Sequence, residues 1–136
     1  MRIIGLDYGE ARIGVAVSDV MGMIANPMPT ISEKDREKQL AAVMEVIKSC
    51  GAEKIVVGLP MRMDGTFGHR ADYTKEFAKE LSERSGLPYV MWDERLSSAE
   101  AHRTLEEGGV SGKKRKTKVD KIAAVLILQT YLDSLR

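Results

Sequence analysis

The fold is decided by residues 3–19, which read IIGLDYGEARIGVAVSD. Two apolar, β-branched runs at residues 2–6 and 13–17 flank a polar, glycine-containing turn, and this pattern predicts a β-hairpin. The first run has apolar side chains on both of its faces, which indicates a central strand that is covered on both sides. Asp7 follows this run directly. The stretch therefore predicts a hairpin in the middle of a sheet, with a carboxylate at the end of its first strand.

Strands and helices alternate along the rest of the chain. The predicted elements after the hairpin are a strand at 23–31, helices at 32–50 and 70–85, strands at 55–58 and 87–92, a short helix at 97–107, a loop at 108–116 and a closing helix at 117–135. Pro27 and Pro29 confine the strand at 23–31 to a sheet edge. Gly51 is suited to cap the first helix. The order predicts an α/β fold whose mixed sheet, antiparallel first and parallel later, is flanked by helices.

The composition is that of a single globular domain. The chain has 136 residues, of which 43% are hydrophobic and 30% are charged. Cys50 is the one cysteine, so no internal disulfide forms. No apolar run approaches the roughly 20 residues of a membrane helix, and the first residues do not resemble a secretory signal. We therefore expect one domain over residues 1–136, located in the cytoplasm and not in a membrane.

Carboxylates follow several of the predicted strands. Asp7 ends the first strand, Asp93 and Glu94 end the last, and Asp120 lies near the start of the closing helix. The carboxyl ends of parallel strands meet at one edge, where ligands bind. Clustered carboxylates repel one another unless they share a cation, and Mg²⁺ prefers oxygen ligands. Such ions can activate a water and stabilise the leaving oxygen in phosphodiester cleavage.

Each of these acids also has a structural interpretation. An aspartate before a glycine turn, as at Asp7, often serves the turn itself. Strand alternation lets one of Asp93 and Glu94 face the site, and we assign Glu94 to it and Asp93 to a turn or an arginine pair. Residues 117–120 fit a capping box, which would make Asp120 a helix-start residue. Asp19 lies at the opposite end of the hairpin from Asp7, too far away to share a metal.

A basic segment, residues 113–118, reads KKRKTK. Without these five positive charges, the net charge of +1 becomes −4. Such a run is commonly a solvated loop, but its position next to Asp120 and beside a glycine-rich stretch favours binding of phosphates in a polyanion. The residues predicted to bind nucleic acid are Lys113, Lys114, Arg115, Lys116 and Lys118, together with Arg12.

Four motifs in order resemble the YqgF family of Holliday-junction-resolvase-like proteins. They are GLDYGEARIGVAVSD at 5–19, GLP at 58–60, DER at 93–95 and VDKIAAVLILQ at 119–129. The resemblance covers residues 3–133. It implies an RNase H-like fold and a nuclease that processes the 5′ end of pre-16S ribosomal RNA. It also assigns the catalytic role to Asp7, Glu94 and Asp120, and so favours a functional Asp120 over a capping one.

These observations lead to one main functional hypothesis. We expect a hydrolase, an endonuclease dependent on Mg²⁺ or Mn²⁺, that acts on structured RNA as a monomer or weak dimer. Asp7, Glu94 and Asp120 are its expected metal ligands. One alternative is a resolvase of DNA junctions, which needs two sites, and another is a nucleic-acid-binding module without catalysis. An actin-like ATPase also has Asp-x-Gly between two strands, but it closes two domains around ATP, and this chain is long enough for one.

Overall fold

The computed structural model describes residues 1–60, 68–93 and 112–135, and the side chains of all of these except 112–121. Five strands and three helices fall within these ranges. In chain order they are β1 (Ile3–Tyr8), β2 (Arg12–Ser18), β3 (Ala25–Ser32), α1 (Arg36–Cys50), β4 (Lys54–Leu59), α2 (His69–Ser85), β5 (Tyr89–Asp93) and α3 (Gly112–Ser134). Across these ranges, no helix has the length and apolarity needed to cross a membrane.

The strands form one mixed sheet in the order β3-β2-β1-β4-β5. The β1–β2 and β2–β3 pairs are antiparallel, whereas the β1–β4 and β4–β5 pairs are parallel. The predicted α/β architecture is therefore confirmed, with the hairpin at its centre. Pro27 and Pro29 lie in β3 at an edge of the sheet, where a missing N–H group can be tolerated.

The side chains of β1 alternate between two cores. Ile4 and Leu6 pack with α1 and α2, where Leu40 and Phe77 are fully buried. Ile3 belongs to a second core on the opposite face, built largely from α3. The molecule therefore has three layers, with α1 and α2 on one side of the sheet and α3 on the other. This two-sided burial explains why β1 is apolar at successive positions.

Helix α3 runs antiparallel to β1. Near the start of β1, Lys54 pairs in register with Ile3, and its ammonium lies 5.2 Å from the ring centroid of Tyr131. Further along the strand, a Cβ atom at Gly5 would lie 2.7 Å from the Leu128 Cβ. Helix residue numbers thus decrease as β1 advances towards its carboxyl end, so the amino-terminal part of α3 lies towards the end of β1 that carries Asp7.

The first helix begins later than the sequence predicts. β3 continues to Ser32, which pairs with Arg12 of β2, and α1 begins at Arg36 after the N-cap residue Asp35. The strand pairing thus extends into the stretch that the sequence analysis assigned to the helix. The predicted glycine cap is confirmed, because Gly51 has the left-handed φ of 70°.

The closing helix, in contrast, begins earlier than predicted. It starts at Gly112 rather than at residue 117. The predicted loop over 108–116 is therefore wrong for residues 112–116, which continue the helix in the amino-terminal direction. The remainder of that loop and the predicted helix at 97–107 lie outside the described residues.

Candidate metal and nucleic-acid site

Asp7 is the next-to-last residue of β1 and is half-buried. Alternation places it on the α3 side of the sheet, the side on which Gly5 contacts the helix. Its partner in β2 is Gly14. The β1–β4 register, continued by one residue, brings Gly58 beside it on the other flank. Asp7 is therefore flanked on both neighbouring strands by residues that have no side chain.

The surroundings of Asp7 suit a hydrated cation. Carboxylate oxygens are ligands that Mg²⁺ prefers, and Mg²⁺ keeps several of its waters when it binds a protein. The flanking glycines contribute no side chain that would displace those waters. Among the side chains that the structure describes, no three His, Cys, Asp or Glu residues group closely enough to hold a metal. The predicted ligand set also includes Glu94 and Asp120, whose side chains lie outside the described ones, so this set stays a prediction.

The end of β5 bears on the choice between Asp93 and Glu94. Trp92 packs into the core on the α3 side, and Met91 packs against the opposite core. Alternation therefore assigns Asp93 to the side of α1 and α2, away from the side of Asp7. Asp93 pairs in register with Leu59, so the predicted turn position is wrong and the alternative, an arginine pair, stays a prediction. Glu94 lies outside the described residues and stays a prediction.

Asp120 lies inside α3, eight residues after Gly112. The capping-box interpretation of residues 117–120 is therefore wrong, because a capping box requires the helix to begin there. Helical periodicity puts Asp120 one turn before Ala124 and two turns before Leu128. Ala124 and Leu128 are both buried in the core between α3 and the sheet. Asp120 is thus separated by one and two helical turns from two residues of this core.

The predicted phosphate-binding residues fall at two places in the fold. Arg12 is the first residue of β2 and is half-buried at the same end of the hairpin as Asp7. Gly9 separates the two strands there, and a Cβ atom on it would lie 2.6 Å from the Arg12 carbonyl oxygen. The basic segment lies in the first turns of α3. Arg12 and Asp7 are therefore brought to one edge, as the hairpin predicted.

Gln39 is a residue that the sequence analysis missed. Its side chain is 1% exposed, and its Nε2 donates to the carbonyl oxygens of Glu33 at 2.7 Å, Glu10 at 3.0 Å and Gly9 at 3.3 Å. Its Oε1 accepts a hydrogen bond from the Tyr8 hydroxyl at 3.3 Å. One buried amide of α1 thus holds the turn that follows Asp7.

A sequence signal for Gln39 exists. Positions 39, 43 and 47 are spaced by one helical turn, and Val43 and Ile47 are apolar. A glutamine in such a stripe has to satisfy its amide inside the protein, because an unpaired buried polar group is costly. The stripe marks Gln39 as buried, but it does not reveal which distant carbonyl oxygens the amide binds.

Tyr8 and Arg70 complete the support of this turn. The Tyr8 ring stacks on Phe77 with a centroid separation of 4.3 Å. Burial raises the pKa of the Tyr8 phenol, with a smaller opposing effect from the positive charge of Arg36. The phenol is therefore neutral at pH 7 and donates its hydrogen bond. Arg70 of α2 donates from Nη2 to the Tyr8 carbonyl oxygen at 3.3 Å.

Asp19 has a structural role at the far end of the hairpin. Its Oδ1 accepts hydrogen bonds from the backbone N–H groups of Met23 at 2.7 Å and Ile24 at 2.9 Å. These two bonds hold the pKa of the carboxyl below its usual value. Asp19 therefore stabilises the β2–β3 turn, which agrees with its exclusion from the metal site.

Comparison with known sequences identifies the family. The sequence model of the RuvX family, described as "Holliday junction resolvase", matches residues 1–134. This chain belongs to the RuvX family. RuvX is the YqgF family that the four motifs resembled, so that prediction is confirmed. The matched residues include all four motifs.

Relatives of this RuvX protein match along nearly their whole length. A protein of Listeria monocytogenes serotype 4b is 49% identical over 136 residues, covering 98% of this chain and 99% of the relative. A protein of Syntrophomonas wolfei is 50% identical over 133 residues, covering 98% and 94%. Both are named "Putative pre-16S rRNA nuclease".

Solved structures confirm the RNase H-like fold of this RuvX protein. The fowlpox virus Holliday junction resolvase matches with a TM-score of 0.60 at 14% identity, covering 98% of this chain and 99% of that one. Thermus thermophilus RuvC, in complex with a Holliday junction substrate, matches with a TM-score of 0.56 at 17% identity, covering 93% and 91%. At these identities the likeness concerns the fold.

Proposed function

We propose that this protein is a metal-dependent endonuclease that processes the 5′ end of pre-16S ribosomal RNA in the cytoplasm, within a single RNase H-like domain over residues 1–136. The observation that carries the proposal is Asp7, half-buried between two glycines at the carboxyl edge of the sheet. Membership of a family whose close relatives are named as pre-16S rRNA nucleases supplies the reaction and the substrate class.

The path of α3 supports the pairing of Asp7 with Asp120. Gly5 lies against Leu128 and the carbonyl oxygen of Ala124. Asp7 lies two residues further along β1, a rise of about 6.6 Å, and Asp120 lies one helical turn before Ala124 and two before Leu128, a rise of about 6 to 12 Å. Because α3 runs antiparallel to β1, these two steps go in the same direction, and the register of helix and strand favours a shared site.

The chain's own residues bind the cation and the RNA. The reaction needs no protein nucleophile. Asp7, Glu94 and Asp120 would bind the divalent cation, Mg²⁺ or Mn²⁺, through their carboxylate oxygens. The bound cation supplies activation of a water molecule and stabilisation of charge on the leaving oxygen. Arg12 and the basic segment bind phosphates on either side of the scissile bond. The protein works as a monomer or weak dimer.

The position of the basic segment follows from helix length. Leu128 lies over Gly5, and the end of β1 at Tyr8 is three residues, or about 10 Å, further along the strand. A helix covers that distance in about seven residues. The basic segment lies further still towards the start of α3, so it extends beyond the carboxyl edge of the sheet, on the side from which a polyanion approaches Asp7.

A cleavage assay with matched variants tests the proposal. An RNA that spans the 5′ end of the pre-16S transcript is incubated with wild type, with Asp7→Asn and with Asp120→Asn, each in Mg²⁺, in Mn²⁺ and in EDTA. We expect cleavage by wild type in either metal, and loss of cleavage in both variants and in EDTA. RNA binding by Asp120→Asn should stay near normal. Cleavage by Asp120→Asn at the wild-type rate would remove Asp120 from the site.

The description of the RuvX family as Holliday junction resolvases favours a second candidate, resolution of Holliday junctions in DNA. A four-way DNA junction in the same assay separates the two, because a resolvase cuts two opposed strands and requires a dimer that presents two sites. Cleavage of the junction and not of the RNA, with a dimeric enzyme in solution, would establish the second candidate. RNA binding that survives EDTA, with cleavage of neither substrate, would indicate a non-catalytic binding module.

A further inference from the structure

Arg70 differs from the other arginines of the α1–α2 layer. Arg36 lies 3.3 Å from a carboxylate oxygen of Glu80, and Arg84 forms two bonds of 2.8 and 2.9 Å with Glu37. Arg70 lies in the first turn of α2 and is exposed. Among the described residues it has no acidic partner, and the contact it makes is with the Tyr8 carbonyl oxygen.

This contact fixes the position of a positive charge beside the candidate site. Tyr8 directly follows Asp7, so the Arg70 guanidinium is held one residue away from the backbone of Asp7. Among the described residues, the single Nη2–H bond to a carbonyl leaves the other N–H groups of the guanidinium without a contact and its charge without a carboxylate partner. Guanidinium groups bind phosphate through paired N–H donors, so Arg70 has the donors and the charge that a backbone phosphate requires.

We propose that Arg70 binds a backbone phosphate of the RNA next to the scissile bond. This inference rests on the proposed nuclease function, because it takes Asp7 as the position of the cleavage site. Tyr8 faces α1 and α2, whereas alternation places Asp7 on the α3 side. Arg70 belongs to α2, which packs on that same side of the sheet, and the basic segment belongs to α3 on the other side. The substrate strand therefore crosses the sheet edge between two positively charged regions.

The substrate class follows from this placement. A strand that crosses the edge has to expose phosphates to both sides of the sheet at once. Single-stranded or splayed RNA at the end of a helical stem can do so, because its backbone is not fixed by a complementary strand. We therefore infer that Arg70 selects for a flexible strand at the cleavage point, flanked by structured RNA that binds the basic segment.

The test measures the salt dependence of RNA binding, in a background that cannot cleave. All variants carry Asp7→Asn, and the probe is the RNA spanning the 5′ end of the pre-16S transcript. Arg70→Gln is compared with Lys79→Gln, which removes one exposed positive charge from the same helix. We expect Arg70→Gln to weaken binding roughly three- to tenfold and to reduce the salt slope by about 0.7 to 1, because one phosphate contact is lost. Lys79→Gln should change neither quantity.

Further arms separate the possible outcomes. Arg70→Lys, which keeps the charge, should keep most of the salt slope. If Arg70 merely supported the turn through Tyr8, Arg70→Gln would lower the melting temperature and leave the slope unchanged, which would overturn the inference. An equal loss of slope in Lys79→Gln would also overturn it. Failure of wild type to cleave RNA, together with a reduced slope in Arg70→Gln alone, would reject the nuclease proposal and retain Arg70 as a phosphate-binding residue.

Discussion

The two turns of the first three strands are stabilised differently. In the β2–β3 turn the Asp19 carboxylate accepts hydrogen bonds from N–H groups of its own turn, and Gln129 of α3 also donates to the Met23 carbonyl oxygen. The β1–β2 turn is held from outside, by the amide of Gln39 in α1 and the guanidinium of Arg70 in α2. Each turn is adjacent to an aspartate, and the described contacts show the carboxylate of Asp19 bonded within its own turn.

This difference separates a structural aspartate from a candidate catalytic one. The Asp19 carboxylate could bind a metal only by giving up the two hydrogen bonds that it accepts within its own turn. A turn whose backbone is fixed by distant side chains needs no contribution from the neighbouring carboxylate. The β1–β2 turn has external support from Gln39 and Arg70, and the role of Asp7 as a metal ligand stays a prediction. The following four predictions test this contrast.

The largest effect is expected from exchanging each aspartate for asparagine. Asp7→Asn should lower RNA cleavage by about 100-fold or more, since even outer-shell partners of metal ligands contribute 10- to 100-fold. Asp19→Asn, the matched control at the other turn, should cleave at the wild-type rate at pH 7. Single-turnover cleavage rates of the two folded variants provide the measurement. Similar rates for both would abolish the distinction between the turns.

Removing the external support should reduce cleavage next most strongly. Gln39→Leu removes the donor that the carbonyl oxygens of the turn and of Glu33 share. The free energy of unfolding should fall by about 1–3 kcal/mol. Displacement of the turn should also lower cleavage roughly tenfold, through misplacement of Asp7. Ser18→Ala removes a buried bond to the Ile3 N–H at the far end of β1, so it is the control. It should lose stability and keep its cleavage rate, as measured by chemical unfolding and by cleavage of the same RNA.

Substitution of a turn glycine should lower cleavage in the β1–β2 turn but not in the β2–β3 turn. A Cβ atom at Gly9 would lie 2.6 Å from the Arg12 carbonyl oxygen, so Gly9→Ala should force the strands apart and lower both stability and cleavage. Gly22 has a φ of 69° and more space around it, so Gly22→Ala should cost about 1–2 kcal/mol through backbone strain. It should leave cleavage intact. Equal losses of cleavage in both variants would show that both turns affect the position of Asp7.

The smallest effect is a pH dependence confined to the β2–β3 turn. Hydrogen bonds from Ile24 and Met23 lower the pKa of Asp19 in the folded protein. Its stabilising contribution is therefore fully present above the unfolded-state value, near pH 4, and is lost as the pH falls through the folded value. The melting temperature of wild type should exceed that of Asp19→Asn at pH 7, and the gap should close below about pH 4. A constant gap would show that the charge of Asp19 plays no part.

The parts of the fold that could be predicted depend on local chemistry. The hairpin, the edge position of Pro27 and Pro29 and the cap at Gly51 follow from φ preferences, missing donors and alternation, which act within a few residues. The start of α1 was predicted too early because the pairing of Ser32 with Arg12 is a long-range choice. Strand pairing there extends through residues that the helical pattern would otherwise include.

The candidate site shows the same division between features set by local sequence and features set by long-range contacts. Asp7 is recognisable from sequence, because an acid after a two-sided apolar strand has a defined position in a sheet. Gln39 and Arg70 are not recognisable in their roles, because both act on carbonyl oxygens about 30 or more residues away. Asp120 was ambiguous for a different reason. Its capping alternative could be rejected once the start of α3 was known.

The prolines of β3 have a consequence for how two copies of the protein can meet. A strand at a sheet edge is a template on which another chain can add its own strand, and prolines at the edge hinder such addition. Pro27 and Pro29 remove two backbone donors from the eight residues of β3. The sheet is thus protected against continuing into a neighbouring molecule at this edge, and protected in the same way against aggregation. If two copies act together on a branched substrate, pairing of their β3 strands is disfavoured as the means of association.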